Sequence, residues 1–440
     1  MISLWIPVED TRHEFCGNIT KHQIVRYRKN KFREGYTYDN DIEHWHSQRR
    51  DTHSIASIFQ IVPKFYNSFQ IKRIYQDKVK KEDINLAIIR TSSIGNGTGK
   101  RRWNWEDIKK WCDWCLDNDI QPALDDSWES GSPFVRPKSV YYQVKDYLIK
   151  NKIKIITNVP RIHDKFKWDN DIDPCFQFDT NDMFINFDTF YYLTRYQHQM
   201  FNNNFKMRIH PTFYKNKKYL FTTLIGDILK KRNTALLGSL YYNDLIDENC
   251  FYTSILESDI PKEWEDKYSH IEVEKYVNEN KEKIFKHKPF DDKDQLLDMI
   301  TERRIPQELY DSHFAINVES SDHTFFFTEK TFKNVIAKIP FISFGGPYFS
   351  AGLKEHHGFE RFEEIFDYSY EDKIPKNTTH GKHIEGIINN VKRLKKEPVS
   401  IFSQPSVREK LDYNEYIYFK KTTDVEVEIA IENLFHEILK

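Results

Sequence analysis

Glu319, Asp322, Thr328, Glu329 and Lys330 fall within twelve positions of one another, a cluster of carboxylates and one ammonium. Phe332, Val335, Ile336 and Ile339 follow at helical spacing, so Thr328-Glu329-Lys330 stands at the start of a helix expected over 329–338. A helix N-terminus offers unpaired backbone N–H groups and partial positive charge, which suits phosphate. Lys330 adds a full charge, and Glu329 could accept hydrogen bonds from both hydroxyls of a ribose, a task for a carboxylate with two oxygens. Together they fit a nucleoside diphosphate. Ordinary capping supplies the same tripeptide, because Thr caps, Glu suits the dipole and Lys is solvated. Asp322 and Glu319 could equally be plain loop carboxylates.

Other constellations are weaker. The run from Ser93 to Lys100 is one residue short of a Walker phosphate loop, and Arg101 stands where Ser or Thr must hold magnesium. Cys112 and Cys115 form a lone CxxC on the apolar face of a helix, which reads as core packing. His44, His46 and His53 have no carboxylate at a metal-binding spacing. No metal site is expected.

The elements that must position these groups alternate. Residues 84–89 read as a buried strand. A helix follows with Trp105, Ile108, Cys112, Cys115 and Leu116 on one face, then a strand over 120–124 ending in Asp125-Asp126. A helix over 141–148 and a strand at 153–156 complete a β-α-β-α-β series, hence a parallel sheet with right-handed crossovers. Ligands meet such sheets at the loops after the strands' carboxyl ends, here 91–100, 125–133 and 158–163. Residues 1–80 are left unassigned, and 165–215 read as aromatic-rich segments joining two halves. The pattern restarts with a strand at 219–225 broken by Gly226, a basic loop with Arg232, and a helix bearing Leu236, Leu237 and Leu240. The charged stretch 263–294 reads as a solvent-facing helix and linker, and strands at 314–318 and 340–344 flank the Glu329 helix. Thr423-Asp424-Val425-Glu426 is a capping box before Ile431, Leu434, Phe435, Ile438 and Leu439, a C-terminal amphipathic helix.

The segment FFFTEKTFKNVIAKIPFISFGG, with Asp322 upstream and acidic residues 368–372 downstream, resembles the donor-site motif of GT-B glycosyltransferases. Its Thr-Glu-Lys step is similar to that of the fucosyltransferase type. Its surroundings more closely resemble glycosyltransferases of tailed phages and large viruses, in which a strand, basic loop and leucine-rich helix precede that block, here KYLFTTLIGDILKKRNTALLGSLYYNDLI. The resemblance covers residues 215–372. It implies an α/β chain of two Rossmann-like domains, an acceptor domain over 1–205 and a donor domain over 206–420, with the helix of 421–440 crossing back to the first domain. By position it implies that Glu329 binds ribose, that Lys330 and Arg232 hold the diphosphate, that Gly226 admits the phosphates, and that Thr328 and Asp322 line the same site.

The cofactor so implied is a UDP- or GDP-linked sugar, used without a metal. Transfer to a hydroxyl needs a general base at a strand's carboxyl end, where Asp126, Asp125, Glu129 and His163 are candidates and Asp126 is preferred; the aspartates could instead bond the Ser127 turn. Two acceptor classes stay open: a hydroxymethylated pyrimidine in viral DNA, and a glycan or other small acceptor. Inversion and retention are both open. The reading of a different class is a non-catalytic scaffold or viral interaction protein that keeps a degenerate form of the fold.

Composition sets the outer bounds. With 440 residues, two or three cores are expected. A net charge of −1 attracts neither nucleic acid nor an anionic membrane surface, so any DNA acceptor needs a local basic groove. No apolar run is long enough to cross a bilayer, and five scattered cysteines make no disulfide framework, so a cytoplasmic site, the host's if the chain is viral, is expected. The oligomeric state is not legible.

Overall fold

The computed structural model describes residues 2–6, 69–81, 83–90, 105–126, 140–157, 183–188, 191–192, 217–227, 231–255, 271–280, 284, 305, 307–319, 327–346, 348–372 and 381–440. The chain divides into two compact units, Met1–Tyr196 with Lys421–Lys440, and Gln197–Lys420. Each is α/β and carries one parallel sheet.

The first unit's elements are β1 (Ile2–Ile6), β2 (Phe69–Arg73), β3 (Ile84–Arg90), α1 (Trp105–Asp117), β4 (Gln121–Asp126), α2 (Val140–Lys150), β5 (Lys154–Thr157) and β6 (Phe184–Asn186). Their order in the sheet is β2-β1-β3-β4-β5-β6, and every pair is parallel. Successive side chains on a strand face opposite sides, so Ala87, Ile89 and Leu124 pack with Ile108, Trp111, Cys112 and Cys115 of α1 and with Leu148 of α2. Leu86, Ile88 and Ala123 face the other way and meet Val427, Ile431, Leu434 and Phe435 of the C-terminal helix. Both cysteines of the CxxC are buried and unbonded, and burial raises their thiols' pKa, the behaviour of core residues.

Two features of this sheet differ from the sequence reading. Its strands β1 and β2 lie in the unassigned region, where five residues each carry too short a pattern to reveal a strand. Residues 184–186, expected within a connector, form its edge strand β6, with Phe187 N–H bonded to Thr157 O at 2.8 Å.

The second unit runs β7 (Tyr219–Asp227), α3 (Lys231–Tyr242), β8 (Cys250–Ile255), α4 (Ile271–Glu279), α5 (Gln307–Tyr310), β9 (Ser312–Val318), α6 (Glu329–Ile336), β10 (Phe341–Phe344), α7 (Phe349–His357), α8 (Ser369–Asp372), α9 (Gly381–Leu394) and α10 (Pro405–Lys421). The sheet order is β10-β9-β7-β8, again all parallel. Phe221, Phe314, Ile316 and Phe344 pack with the leucines of α3 and with Ile387 and Val391 of α9. Val273 and Val277 of α4 join that core, so the charged stretch expected to face solvent buries one stripe. Gly226 does not end its strand: β7 continues to Asp227, with a register shift against β8 between Leu224 and Asp227. At Gly345 a side chain would meet Phe349 Cδ2 at 2.7 Å, so only glycine lets β10 turn this closely into α7.

The chain ends in α11 (Asp424–Leu439), whose N-cap Thr423 accepts the Glu426 N–H at 3.3 Å as the capping box requires. Leu439, assigned to the apolar stripe, is exposed. Among the described residues no helix is long and apolar enough to cross a membrane.

Candidate functional site

From β7 the chain passes through α3 to β8 on one side, and from β9 through α6 to β10 on the other. The connection therefore reverses direction between β7 and β9. Open α/β sheets bind ligands outside the carboxyl ends of their strands at such a reversal. The two loops that flank it lead to Arg232 near the start of α3 and to Thr328, Glu329 and Lys330 at the start of α6.

Glu319, the residue after β9, ties the starts of α3 and α6 to the sheet. Its side chain is fully buried and its Oε2 accepts the Thr328 hydroxyl at 2.6 Å. Oε1 accepts Asn317 Nδ2 at 3.0 Å and the Thr331 hydroxyl. Its backbone N–H donates to Phe344 O at 3.1 Å, and its carbonyl accepts Arg232 Nη2. The guanidinium is itself buried, with Cζ 5.8 Å from the Phe344 ring centroid. Burial pushes the Glu319 carboxyl above the usual range, against the pull of Lys330 and the two threonine hydroxyls.

Thr328 is the N-cap of α6. Its φ of −114° is extended and its Oγ1 accepts the Lys330 N–H at 3.3 Å while its own proton goes to Glu319. Glu329 opens the helix and is only 2% exposed. Its Oε1 accepts Lys330 Nζ at 2.9 Å, and its Oε2 has no hydrogen-bond partner among the described residues. Burial alone would raise this carboxyl's pKa, but Lys330 and Lys333 bring it below the ordinary range and keep it ionised at neutral pH. A buried acceptor left unmade costs about 1–3 kcal/mol, more when charged, so this oxygen is the part of the site that a donor from outside would relieve. The cavity beneath α6, lined by Thr222, Asn317, Lys330 and Lys333, is about 20 Å³, room for one water and too small for a nucleotide.

Of the other residues singled out from sequence, Asp125 and Asp126 end β4 of the first unit, in register with Ile156 and Thr157, and Asp125 is 2% exposed. Asp322, Glu129, His163, the histidines at 44, 46 and 53, and the segments 91–100, 127–133 and 158–163 lie outside the described residues. Among the described residues no group of three or more His, Cys, Asp or Glu is placed to hold a metal.

Sequence reasoning did not single out Asn317, Thr331 or Lys333. A signal existed for Asn317, a polar residue inside the apolar run Phe314-Ala315-Ile316-Asn317-Val318, two positions from Glu319 and so on the same side of the strand. Another buried carboxyl group, Glu371 of α8, stands in the sequence only as part of an acidic stretch. Its Oε2 accepts Ser350 N–H at 2.7 Å and its Oε1 accepts the Ser350 hydroxyl at 2.8 Å and the Tyr370 hydroxyl at 3.1 Å. Burial pushes it up to about 7, against the lowering effect of those bonds.

No protein-family model matches the chain, and no curated protein does. Among solved structures it is similar to one titled "Crystal Structure of alpha1,3-Fucosyltransferase", at 9% identity and a TM-score of 0.37, covering 99% of this chain and 90% of that one. A likeness at that TM-score supports neither fold nor activity by itself.

Proposed function

We propose that the chain is a glycosyltransferase that takes a sugar from a nucleotide donor, a nucleoside diphosphate sugar bound at the β7/β9 reversal. The observation that carries the reading is the buried Glu329, whose Oε2 has no hydrogen-bond partner among the described residues, one residue from Lys330 at a helix N-terminus. A carboxylate oxygen there accepts a ribose hydroxyl, and the ammonium and the N-terminal N–H groups stabilise the negative charge that grows on the departing diphosphate.

In this reading Thr328 sets the turn, Gly226 lets the backbone after β7 come near the phosphates, and Asp322 lines the same site. Arg232, held by Glu319 O, supplies positive charge toward the diphosphate. The proposed general base is Asp126 or Asp125 at the end of β4, with Asp126 preferred because Asp125 is buried. A GT-B arrangement, a UDP or GDP donor, and a DNA or glycan acceptor are the finer parts of the proposal.

The test is thermal stabilisation by uridine and guanosine diphosphates, followed by turnover of a nucleotide-sugar panel with and without hydroxymethylated DNA. Stabilisation that Glu329→Ala and Lys330→Ala abolish supports the site. A wild-type chain that neither nucleotide stabilises and that turns over no donor sinks it.

A further inference from the structure

The Glu319 carboxylate touches no open face of the site, yet it is the point at which the site's parts meet. Its four polar groups reach four elements: the N–H bonds the end of β10, the carbonyl bonds Arg232 of α3, and the two carboxylate oxygens bond Thr328 and Thr331 at the start of α6 and Asn317 of β9. Both oxygens of the side chain accept hydrogen bonds, and its relative exposure is 0%. A carboxylate whose acceptors are all spent inside the protein has no oxygen to offer a ligand. What it does offer is geometry.

Thr328 can cap α6 with its lone pair while its proton points at Glu319, so the bond that starts the helix and the bond that anchors it share one hydroxyl. Thr331, one turn on, is held by the other oxygen, and Asn317 Nδ2 bridges Thr331 Oγ1 at 2.9 Å and Glu319 Oε1. Two hydroxyls at positions i and i+3 define the axial rotation of a helix as well as its height. Glu329 and Lys330 lie between them.

We propose that Glu319 is a positioning residue of the donor site: it fixes the rotation of the first turn of α6 against the start of α3, and so sets where Glu329 Oε2 and the Lys330 ammonium stand. This rests on the nucleotide reading above. A residue in such a role affects binding through small displacements, and a displacement near 1 Å at a binding group can cost on the order of a hundredfold.

The experiment compares Glu319→Gln with Leu240→Ala, which empties core volume at the far end of α3 and serves as a purely structural control. Kd for guanosine and uridine diphosphates is measured by calorimetry at a temperature well below the Tm of every variant, together with KM and kcat on whichever donor the wild type uses. Glu319→Gln is expected to weaken nucleotide binding about tenfold or more and to raise KM more than it lowers kcat, while Leu240→Ala loses Tm at unchanged Kd. Should Glu319→Gln not fold, Thr331→Val removes one of the two anchoring hydroxyls and is expected to weaken binding a few-fold, on the order of a lost hydrogen bond. A Kd within twofold of wild type in the folded variant, with only Tm lowered, overturns the proposal. A wild type that binds neither nucleotide overturns the functional reading instead, and the two failures are told apart by the wild-type arm.

Discussion

Two helices start on the same rim of the second sheet, α6 after β9 and α7 after β10, and their N-termini are treated in opposite ways. At α7 the N-cap Tyr348 is left-handed, with φ 54°, and makes no side-chain cap bond. Glu371 fills that vacancy, taking the Ser350 N–H and hydroxyl. A helix N-terminus is a natural anion site, and here the chain fills it with its own carboxyl group. At α6 a neutral threonine caps the turn, and Glu329 in the first turn keeps one oxygen unpartnered among the described residues while a lysine stands beside it. The contrast separates a terminus whose carboxyl group is fully bonded within the fold from one that keeps a carboxylate oxygen unpartnered among the described residues, although both lie at a strand's carboxyl end.

The most direct way to break this contrast is Glu329→Gln. It keeps shape and volume and removes the charge, so nucleotide affinity is expected to fall by about 1.5–3 kcal/mol, about ten- to a hundredfold, as for a lost charged hydrogen bond. Calorimetric titration with both diphosphates measures it. Equal affinity in wild type and variant would mean that the unpartnered oxygen faces nothing.

Next in size is Lys330→Ala. It removes the ammonium 2.9 Å from a buried carboxylate, which costs binding through lost charge on the phosphates and costs stability through Glu329. In the wild type Glu329 has a depressed folded pKa, so its contribution to stability is present above its unfolded value and is lost as pH falls. In the variant burial dominates and that contribution should reverse sign. Tm measured from pH 5 to pH 8 is therefore expected to show a larger deficit for Lys330→Ala at pH 8 than at pH 5. A constant deficit would show that Lys330 does not set the ionisation of Glu329.

How much of this contrast was legible before folding differs between the termini. Thr328-Glu329-Lys330 announces its helix because cap, acid and base stand in sequence before Phe332 and Val335. Glu319 does not announce its role, because its partners lie 9 and 12 residues ahead and 87 behind, and nothing local distinguishes it from a loop acid. Glu371 is hidden in the same way, 21 residues from Ser350. The sheets divide along similar lines. Runs such as Ile84–Arg90 declare themselves by continuous apolar character, whereas β8, Cys250–Ile255, mixes Tyr, Thr and Ser and draws its identity from pairing with β7. The two valines that bury α4 are outnumbered by charges that the other faces of the helix leave in water.

Glu371→Gln tests the other half of the contrast. Burial places the folded pKa of Glu371 at about 7, above the value near 4.5 it takes when unfolded, so the native state holds a proton that the unfolded chain has released between those limits. Through this group stability should fall as pH rises from about 4.5 to about 7 and stay at the lower level above it. Gln cannot ionise, and its amide can still accept from the Ser350 N–H while donating to the Ser350 or Tyr370 hydroxyl. Glu371→Gln is therefore expected to equal the wild type near pH 5 and to exceed it in Tm at pH 8, with nucleotide affinity unchanged. A lower Tm at pH 8 would mean that the ionised carboxylate is itself the better cap for α7.

The smallest expected effect is Thr328→Ala, about 1 kcal/mol for loss of an N-cap, read as a lower denaturation midpoint at unchanged m. Thr328→Ser separates cap from packing, since it keeps the hydroxyl that caps Lys330 N–H and bonds Glu319 and loses only a methyl group. If the terminus of α6 is ordered chiefly through that hydroxyl, Ser should retain both the midpoint and the nucleotide affinity that Ala loses. If Ser fails as Ala does, the methyl group in this fully buried position, and not the hydrogen bond, holds the turn. The difference between the two termini would then lie in packing rather than in how the hydrogen bonds of each cap are filled.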